Sequence, residues 1–396
     1  MEAPSQLERW RADTPGAAGR VHLNNAGSAL PPQTVLDAMV GHLRREAEIG
    51  GYEAADEAAG RVQETYAHLA KLLGADARNI ALVENATVAV SQALSAFDFQ
   101  PGDVLVTSHS DYTSNQLMYL ALAERAGVEV WRAADLPDGG VDPDSLRALA
   151  ADPRCRLVAL TWIPTNSGLI QDAEAVGEIC AERGVPYLLD ACQAVGQLPV
   201  DAGRLRCDFL AGTARKFLRG PRGIGFLYVS DRLLAERAYP LGVDMRGAHL
   251  VAPDRFELAE GARRFENWEY AYALVLGLGE AARYALEVGE EGGRRAVALG
   301  ARVRERLAAL PGMRIMDPGR HRGAIVTAHV EGWHAADLVK RLRQEGVNTS
   351  SGYAGGGPLN APHMTAPSVL RLSPHYYNTE AEVETAVAAL QSLLER

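Results

Sequence analysis

Cysteine, lysine and long apolar runs are all scarce in this 396-residue chain. The four cysteines, Cys155, Cys180, Cys192 and Cys207, form no Cys-x-x-Cys pair and are too sparse for a disulfide scaffold. A reduced, cytoplasmic protein is therefore expected. No run of ~18 or more apolar residues is present, so no spanning helix is expected. The opening stretch, MEAPSQLERWRADTPG, lacks the apolar centre of a signal peptide. A basic excess is missing too: the net charge is -10. That argues against nucleic acid, whose binding needs cations to displace counterions. No Gly-x-Gly-x-x-Gly closes an early strand, and GPRGIG sits where a hairpin is expected, which removes the case for a nicotinamide dehydrogenase. No metal site is expected either.

Hydrophobic residues make up 47% of the chain and charged ones 23%, enough for a large core. Short apolar runs at 104–106, 157–160, 187–189 and 209–211 read as buried strands. Amphipathic stretches such as Ala173–Arg183 lie between them. This alternation predicts βαβ units and a mostly parallel sheet, with the strand at 224–229 antiparallel to its predecessor. Leu36, Met39, Val40 and Leu43 follow the i, i+3, i+4, i+7 rule of a helix. Beyond residue 280 the pattern changes. A strand at 324–330, a helix carrying Ala335, Leu338, Val339 and Leu342, a Gly-rich loop at 350–358, a strand at 369–372 and a closing helix with Val383, Ala386, Val387 and Leu390 predict a smaller α+β unit. The expected division is 1–45 as a segment joining the small domain, 46–280 as the large domain and 281–396 as the small one.

Among the few lysines (Lys71, Lys216 and Lys340), Lys216 stands out. It follows an apolar strand and precedes Gly220, Gly223 and Gly225, and strand ends are where open α/β sheets place ligands. Upstream, VPYLLDACQAVG closes a strand on Asp190. A carboxylate among apolar neighbours needs a cationic partner, and a protonated pyridine nitrogen would be one. Gln193 lies three residues on. In IALVENATVAVSQAL a strand, a turn and a helix follow one another, the helix with Val90, Ala93, Leu94 and Phe97 on one face. Asn85 is the natural cap, so the first amides, at Ala86 and Thr87, would face an anion. Thr213 and Arg215 add a hydroxyl and a charge, and Tyr112 stands in the loop after 104–106. These are the parts a pyridoxal-phosphate site requires: a lysine, an acid for the ring nitrogen, a phosphate cradle and a flat group for the ring face.

Taken together, HLNNAGSALPP, ENAT, DACQ, TARK, GPRGIG and VLRLSPHYYNTEAEV resemble the class V aminotransferase family of fold-type I pyridoxal-phosphate enzymes, which includes cysteine desulfurases, isopenicillin N epimerase-like proteins and ergothioneine-type C–S lyases. The resemblance covers nearly the whole chain. It implies an α/β fold with a large, mostly parallel sheet domain, pyridoxal 5'-phosphate as cofactor and a homodimer. It makes Lys216 the Schiff-base lysine and Asp190 the partner of the pyridine nitrogen. Thr87, Thr213 and Arg215 fall near phosphate, and Gln193 near the phenolic oxygen, with Thr165 or Asn166. Arg371 falls where the family grips the substrate α-carboxylate, and Asn25 and Ala26 belong to the substrate side.

Departures narrow the reading. Tyr112 replaces a ring-stacking histidine, and Arg215 replaces the histidine before the lysine. RRFENWE lacks the threonine expected of a partner-subunit phosphate contact. The loop SSGYAGGGPLNAPHMTAPS has no cysteine to accept sulfur, which argues against ordinary desulfurase chemistry. HLRREAEIGGYEAADEAAGRV and RKFLRGPRGIG most resemble the ergothioneine-type lyases. The expected activity is therefore C–S lyase β-elimination on an amino-acid substrate. Keto-acid-dependent transamination, epimerisation and, more remotely, cofactor binding without catalysis remain as alternatives.

Overall fold

The computed structural model describes residues 5–353 and 366–395. Its largest sheet is built from the apolar runs: β2 (Ile80–Val83), β3 (Val104–Thr107), β4 (Glu129–Arg132), β5 (Cys155–Thr161), β6 (Tyr187–Asp190), β7 (Phe209–Thr213) and β8 (Gly225–Val229), after a short β1 (Val21–His22). The seven strands lie in the order β2-β8-β7-β6-β5-β3-β4. Only β8 runs against its neighbours, β2 and β7, and every other pairing is parallel. Residues of β2, β3, β6, β7 and β8 are buried throughout. That continuous burial is the mark of a sheet covered on both faces, and it explains why these strands read as unbroken apolar runs rather than alternating ones.

The parallel strands share one consequence. Thr107, Thr161, Asp190 and Thr213 are the last residues of β3, β5, β6 and β7, so four polar side chains converge at one edge of the sheet. A crevice at the carboxyl ends of strands is where doubly wound folds place their ligands.

Beyond an antiparallel hairpin, β9 (Ala248–Ala252) and β10 (Arg255–Leu258), the helix Tyr272–Ala308 runs straight through position 280. Gly277 and Gly279 sit inside it, where a Cβ would meet Met39 and Thr65, so they serve close packing and do not end the helix. Its one non-helical residue is Gly289 (φ 64°, ψ -165°), a left-handed conformation that favours glycine. The first half packs Val275, Leu278 and Ala282 on the core of the large sheet. The second half packs Leu299, Val303 and Leu307 on a separate core with Val326, Leu338, Leu370 and Val387. That core covers the antiparallel sheet β11-β12-β15-β14, formed by β11 (Met313–Ile315), β12 (Val326–Val330), β14 (Ser350–Tyr353) and β15 (Ser368–Leu372). β13 (Val347–Asn348) pairs with β1 instead, which ties the N-terminal segment to this smaller sheet.

Three local readings change. The Gly-rich loop expected from residue 350 begins as β14, whose pairing with β15 outweighs its glycine content; residues 354–358 of that loop lie outside the described residues. Phe97 falls just past the helix Ala86–Ser95, yet still packs on the large-sheet core. Leu36 and Leu43 lie on a helix as read, Gln33–Ile49, but they are 42% and 55% exposed. The helix turns Val35 and His42 inward instead, against neighbouring helices. Among the described residues no helix is long and apolar enough to cross a membrane.

Candidate active site

A cleft of about 460 Å³ opens at the carboxyl edge of the large sheet, lined by Asn85–Val88, Tyr112, Asn115, Asp190, Cys192, Thr213, Arg215, Lys216 and Gly223. The expected lysine, acid, aromatic ring and helix N-terminus thus meet in one place. Lys216 is buried, and its Nζ lies 5.7 Å from the centroid of the Tyr112 ring. Burial pushes its amine down from the ordinary lysine range, with Arg215 and Arg371 acting in the same direction and the Cys192 and Asp190 groups opposing them. A larger neutral fraction follows, and a neutral amine is the nucleophilic form. Neither of the other lysines belongs here: Lys71 lines a different cavity, and Lys340 pairs with Asp337 at the surface.

Asp190 is held on both oxygens. Oδ1 accepts from the Cys192 amide at 3.0 Å and Oδ2 from Asn115 Nδ2 at 2.9 Å. The helix Ala86–Ser95 starts as read: Asn85 Oδ1 accepts from the Val88 amide at 3.0 Å. The amides of Ala86 and Thr87, in the first turn, have no intrahelical acceptor, and both residues line the cleft, Thr87 exposed.

Arg371, on β15, crosses from the small sheet. Its Nη1 donates to the Thr165 carbonyl at 2.9 Å and hydroxyl at 2.8 Å, and its Nη2 to Asn24 Oδ1 at 3.3 Å. Burial, reinforced by Arg215, lowers this guanidinium to about 10. Thr165 also accepts from Gln193 Nε2 at 3.2 Å, as does the Ala26 carbonyl. Thr165 rather than Asn166 therefore makes the link to Gln193, while Asn166 stands beside Gly352. Asn25 is committed elsewhere, donating to the His22 and Ser373 carbonyls and accepting from the Tyr377 hydroxyl. Asn24, one residue earlier, is the neighbour that reaches Arg371. Arg215 donates to the Gly27 carbonyl and lines the same cleft as Thr87.

Whether the walls suit a cofactor can be judged from unused polar atoms. Gln193 Oε1 and Arg371 Nε are buried and have no hydrogen-bond partner among the described residues. Buried polar atoms left open cost free energy unless a ligand meets them. With the helix amides, they fit an anionic, ring-bearing group.

Sequence reasoning missed Asp111 and Asn115. Asp111 is buried behind Asp190 and accepts from Thr107 Oγ1 at 2.8 Å, the Tyr112 amide at 2.6 Å and Asn115 Nδ2 at 3.3 Å. Its place four residues past the end of β3 gave a weak signal, since loop aspartates are common.

The fold and this constellation define a fold-type I pyridoxal-phosphate enzyme. The profile described as "Aminotransferase class-V" matches residues 21–385. The chain belongs to that family. A relative from Mycobacterium tuberculosis (strain CDC 1551 / Oshkosh), described as a probable hercynylcysteine sulfoxide lyase, is 31% identical over 391 residues, covering 98% of this chain and 93% of the relative. A probable cysteine desulfurase from Xylella fastidiosa (strain 9a5c) is 29% identical over 401 residues, covering 97% and 94%. In structure, the apo cysteine desulfurase of Thermococcus onnurineus NA1 superposes with a TM-score of 0.91 at 24% identity, covering 100% of both chains.

Proposed function

We propose that the chain is a pyridoxal-phosphate-dependent C–S lyase acting on a sulfur-substituted cysteine. The observation that carries this over desulfurase chemistry is the state of its thiols. All four cysteines are buried, and residues 350–368 contain none. Cys192, the one at the cleft, is held well above the ordinary thiol range by burial and then by Asp190. A buried neutral thiol is a poor acceptor of sulfur. Sulfur would therefore leave with the product instead of passing to the protein.

Bound in the cleft, pyridoxal 5'-phosphate supplies an electron-withdrawing ring for the pair left at Cα. Asp190 would face the ring nitrogen, Tyr112 the ring, and Gln193 and Thr165 (with Asn166 nearby) the phenolic oxygen. Ala86, Thr87 and Thr213 would take the phosphate, with Arg215 close by. Arg371 presents a planar fork suited to an α-carboxylate, with Ala26 and the Asn25 segment alongside. Lys216 Nζ, the amine in the cleft, would take the Cα proton. The Cβ–S bond would then break with its electron pair leaving on sulfur, which takes a proton and departs as a thiol (a sulfenic acid from a sulfoxide), and water would hydrolyse the remaining aminoacrylate, as its imine, to pyruvate and ammonia.

A panel of L-amino acids and cysteine S-conjugates, hercynylcysteine sulfoxide included, tests the proposal. Pyruvate formed without an added keto acid supports it. Product that appears only with a keto acid would make the enzyme an aminotransferase, and loss of optical purity alone an epimerase.

A cytoplasmic homodimer belongs to the same reading. Leu241, Met245, Leu250, Phe256 and Trp268 are exposed, and Asn267 Nδ2 donates to Glu84 Oε1 at 3.1 Å, which sets this apolar region beside Asn85. Exposed apolar patches of this kind mark association surfaces. Gel filtration at the monomer volume would contradict it.

A further inference from the structure

Behind Asp190 lies a second carboxylate that the chemistry above does not use. One amide joins the two: Asn115 Nδ2 donates to Asp190 Oδ2 at 2.9 Å and to Asp111 Oδ1 at 3.3 Å. Asp111 gathers donors from three elements. Thr107 comes from the end of β3 at 2.8 Å. Thr161, from the end of β5, donates through its hydroxyl. From the helix Thr113–Ala126 and its cap come the Tyr112 amide at 2.6 Å, Asn115, and the hydroxyl of the fully buried Tyr119. Asp111 thus fixes the start of the helix that carries both Tyr112 and Asn115.

We infer that Asp111 and Asn115 are positioning residues for the cofactor ring: Asp111 anchors Tyr112 and Asn115, and Asn115 in turn holds the Asp190 carboxylate toward the ring nitrogen. The inference rests on the proposed place of Asp190. Three observations support it. Asp190 Oδ2 accepts from Asn115 Nδ2, while the Cys192 amide holds Oδ1 and the Cys192 thiol also bonds the carboxylate, so loss of Asn115 removes a fixed amide donor from Oδ2. Tyr112 takes its position from an amide bonded to Asp111, which couples the ring face to the same anchor. The cluster also sets a second carboxylate, ringed by hydroxyl and amide donors, beside Asp190; burial, with Asp190 adding to it, pushes Asp111 up, against the pull of the Thr161 and Thr107 hydroxyls. The other titratable groups facing the pair are Tyr119, Cys192, Lys216 and Arg215.

The test compares the parent holoenzyme with Asn115→Ala and Asp111→Asn, reading pyridoxal-phosphate affinity, the pH titration of the visible band, kcat, KM and the thermal midpoint. For Asn115→Ala we expect cofactor affinity to fall roughly ten-fold or more, the loss of one hydrogen bond to a charged group. Its kcat should drop while KM stays within about two-fold, since substrate contacts are untouched. For Asp111→Asn the titration midpoint moves to lower pH, because a carboxylate that favours the cationic form has gone. Variants with a lower thermal midpoint but parental affinity, kcat and titration would overturn the inference, for that is a merely structural role. If Asp111→Asn does not fold, Asn115→Ala decides alone by affinity and kcat. A parent protein that binds no pyridoxal phosphate would overturn the cofactor reading as well, so the two failures are distinct.

Discussion

Lys216 Nζ and the Tyr112 ring face each other across 5.7 Å, one on the loop after β7 and the other at the cap of the helix after β3. A flat cofactor joined to that lysine would lie along the tyrosine. Tyr112→Ala is expected to weaken cofactor binding by up to about ten-fold, the range of an aromatic stacking contact of ~0.5–1.5 kcal/mol. Tyr112→Phe should bind nearly as the parent does. Absorbance titration with pyridoxal phosphate checks both, and equal losses in the two variants would point to the hydroxyl instead of the ring.

Arg371 offers a fork whose Nε has no partner among the described residues, and lysine cannot reproduce it. Arg371→Lys and Arg371→Ala are each expected to lower kcat/KM by roughly 10- to 100-fold, as for a lost charge-assisted hydrogen bond of about 1.5–3 kcal/mol. Cofactor affinity should change far less. A variant that loses cofactor but keeps KM would move Arg371 out of the substrate site.

Gly196 is in the left-handed region at φ 92°, and a Cβ built there collides with the Phe217 carbonyl and comes within 2.6 Å of the Leu218 amide. Those residues follow Lys216 directly. Gly196→Ala is therefore expected to cost more than the ~1 kcal/mol of an ordinary glycine replacement and to displace the lysine loop. Thermal unfolding and cofactor occupancy, measured together, check it; a parental midpoint with full occupancy would contradict it.

His375 gives stability a pH dependence. Its Nδ1 accepts from the Tyr376 amide at 2.9 Å, which leaves Nε2 to donate to the Phe217 carbonyl at 3.0 Å. Burial, and then Arg219, hold it well below the ordinary histidine range, so it stays neutral in the fold. The unfolded chain, by contrast, takes up a proton below about pH 6.5. The unfolded state thus binds more protons in that range. Stability is whole above about pH 6.5 and falls as the pH drops below it. Thermal midpoints from pH 7.5 down to 5 should decline more steeply for the parent than for His375→Gln. Parallel profiles would remove His375 from the account.

Much of this was legible because it is local. Lys216, Asp190 and Thr213 each stand at or just beyond a strand end, and an apolar run followed by a polar residue or glycine turn marks such ends in the sequence. Asn85 announced its own helix in the same way. What escaped notice depends on distance or direction. Asn115 meets Asp190 across 75 positions of sequence, which no pattern in either segment encodes. Asn24, just before a one-turn helix, Asn25–Ser28, reaches Arg371 across 347 positions of sequence. Leu36 and Leu43 satisfied helical spacing, but spacing names a stripe and not the neighbour it faces.

The central claim is that Lys216 carries the cofactor, and a chain with only three lysines allows a direct test. The protein is incubated with pyridoxal phosphate, reduced with borohydride, digested and read by peptide mass spectrometry. The account predicts a pyridoxyl group on Lys216 and loss of the visible absorbance band in Lys216→Ala. A label on Lys71 or Lys340 in place of Lys216 would contradict it.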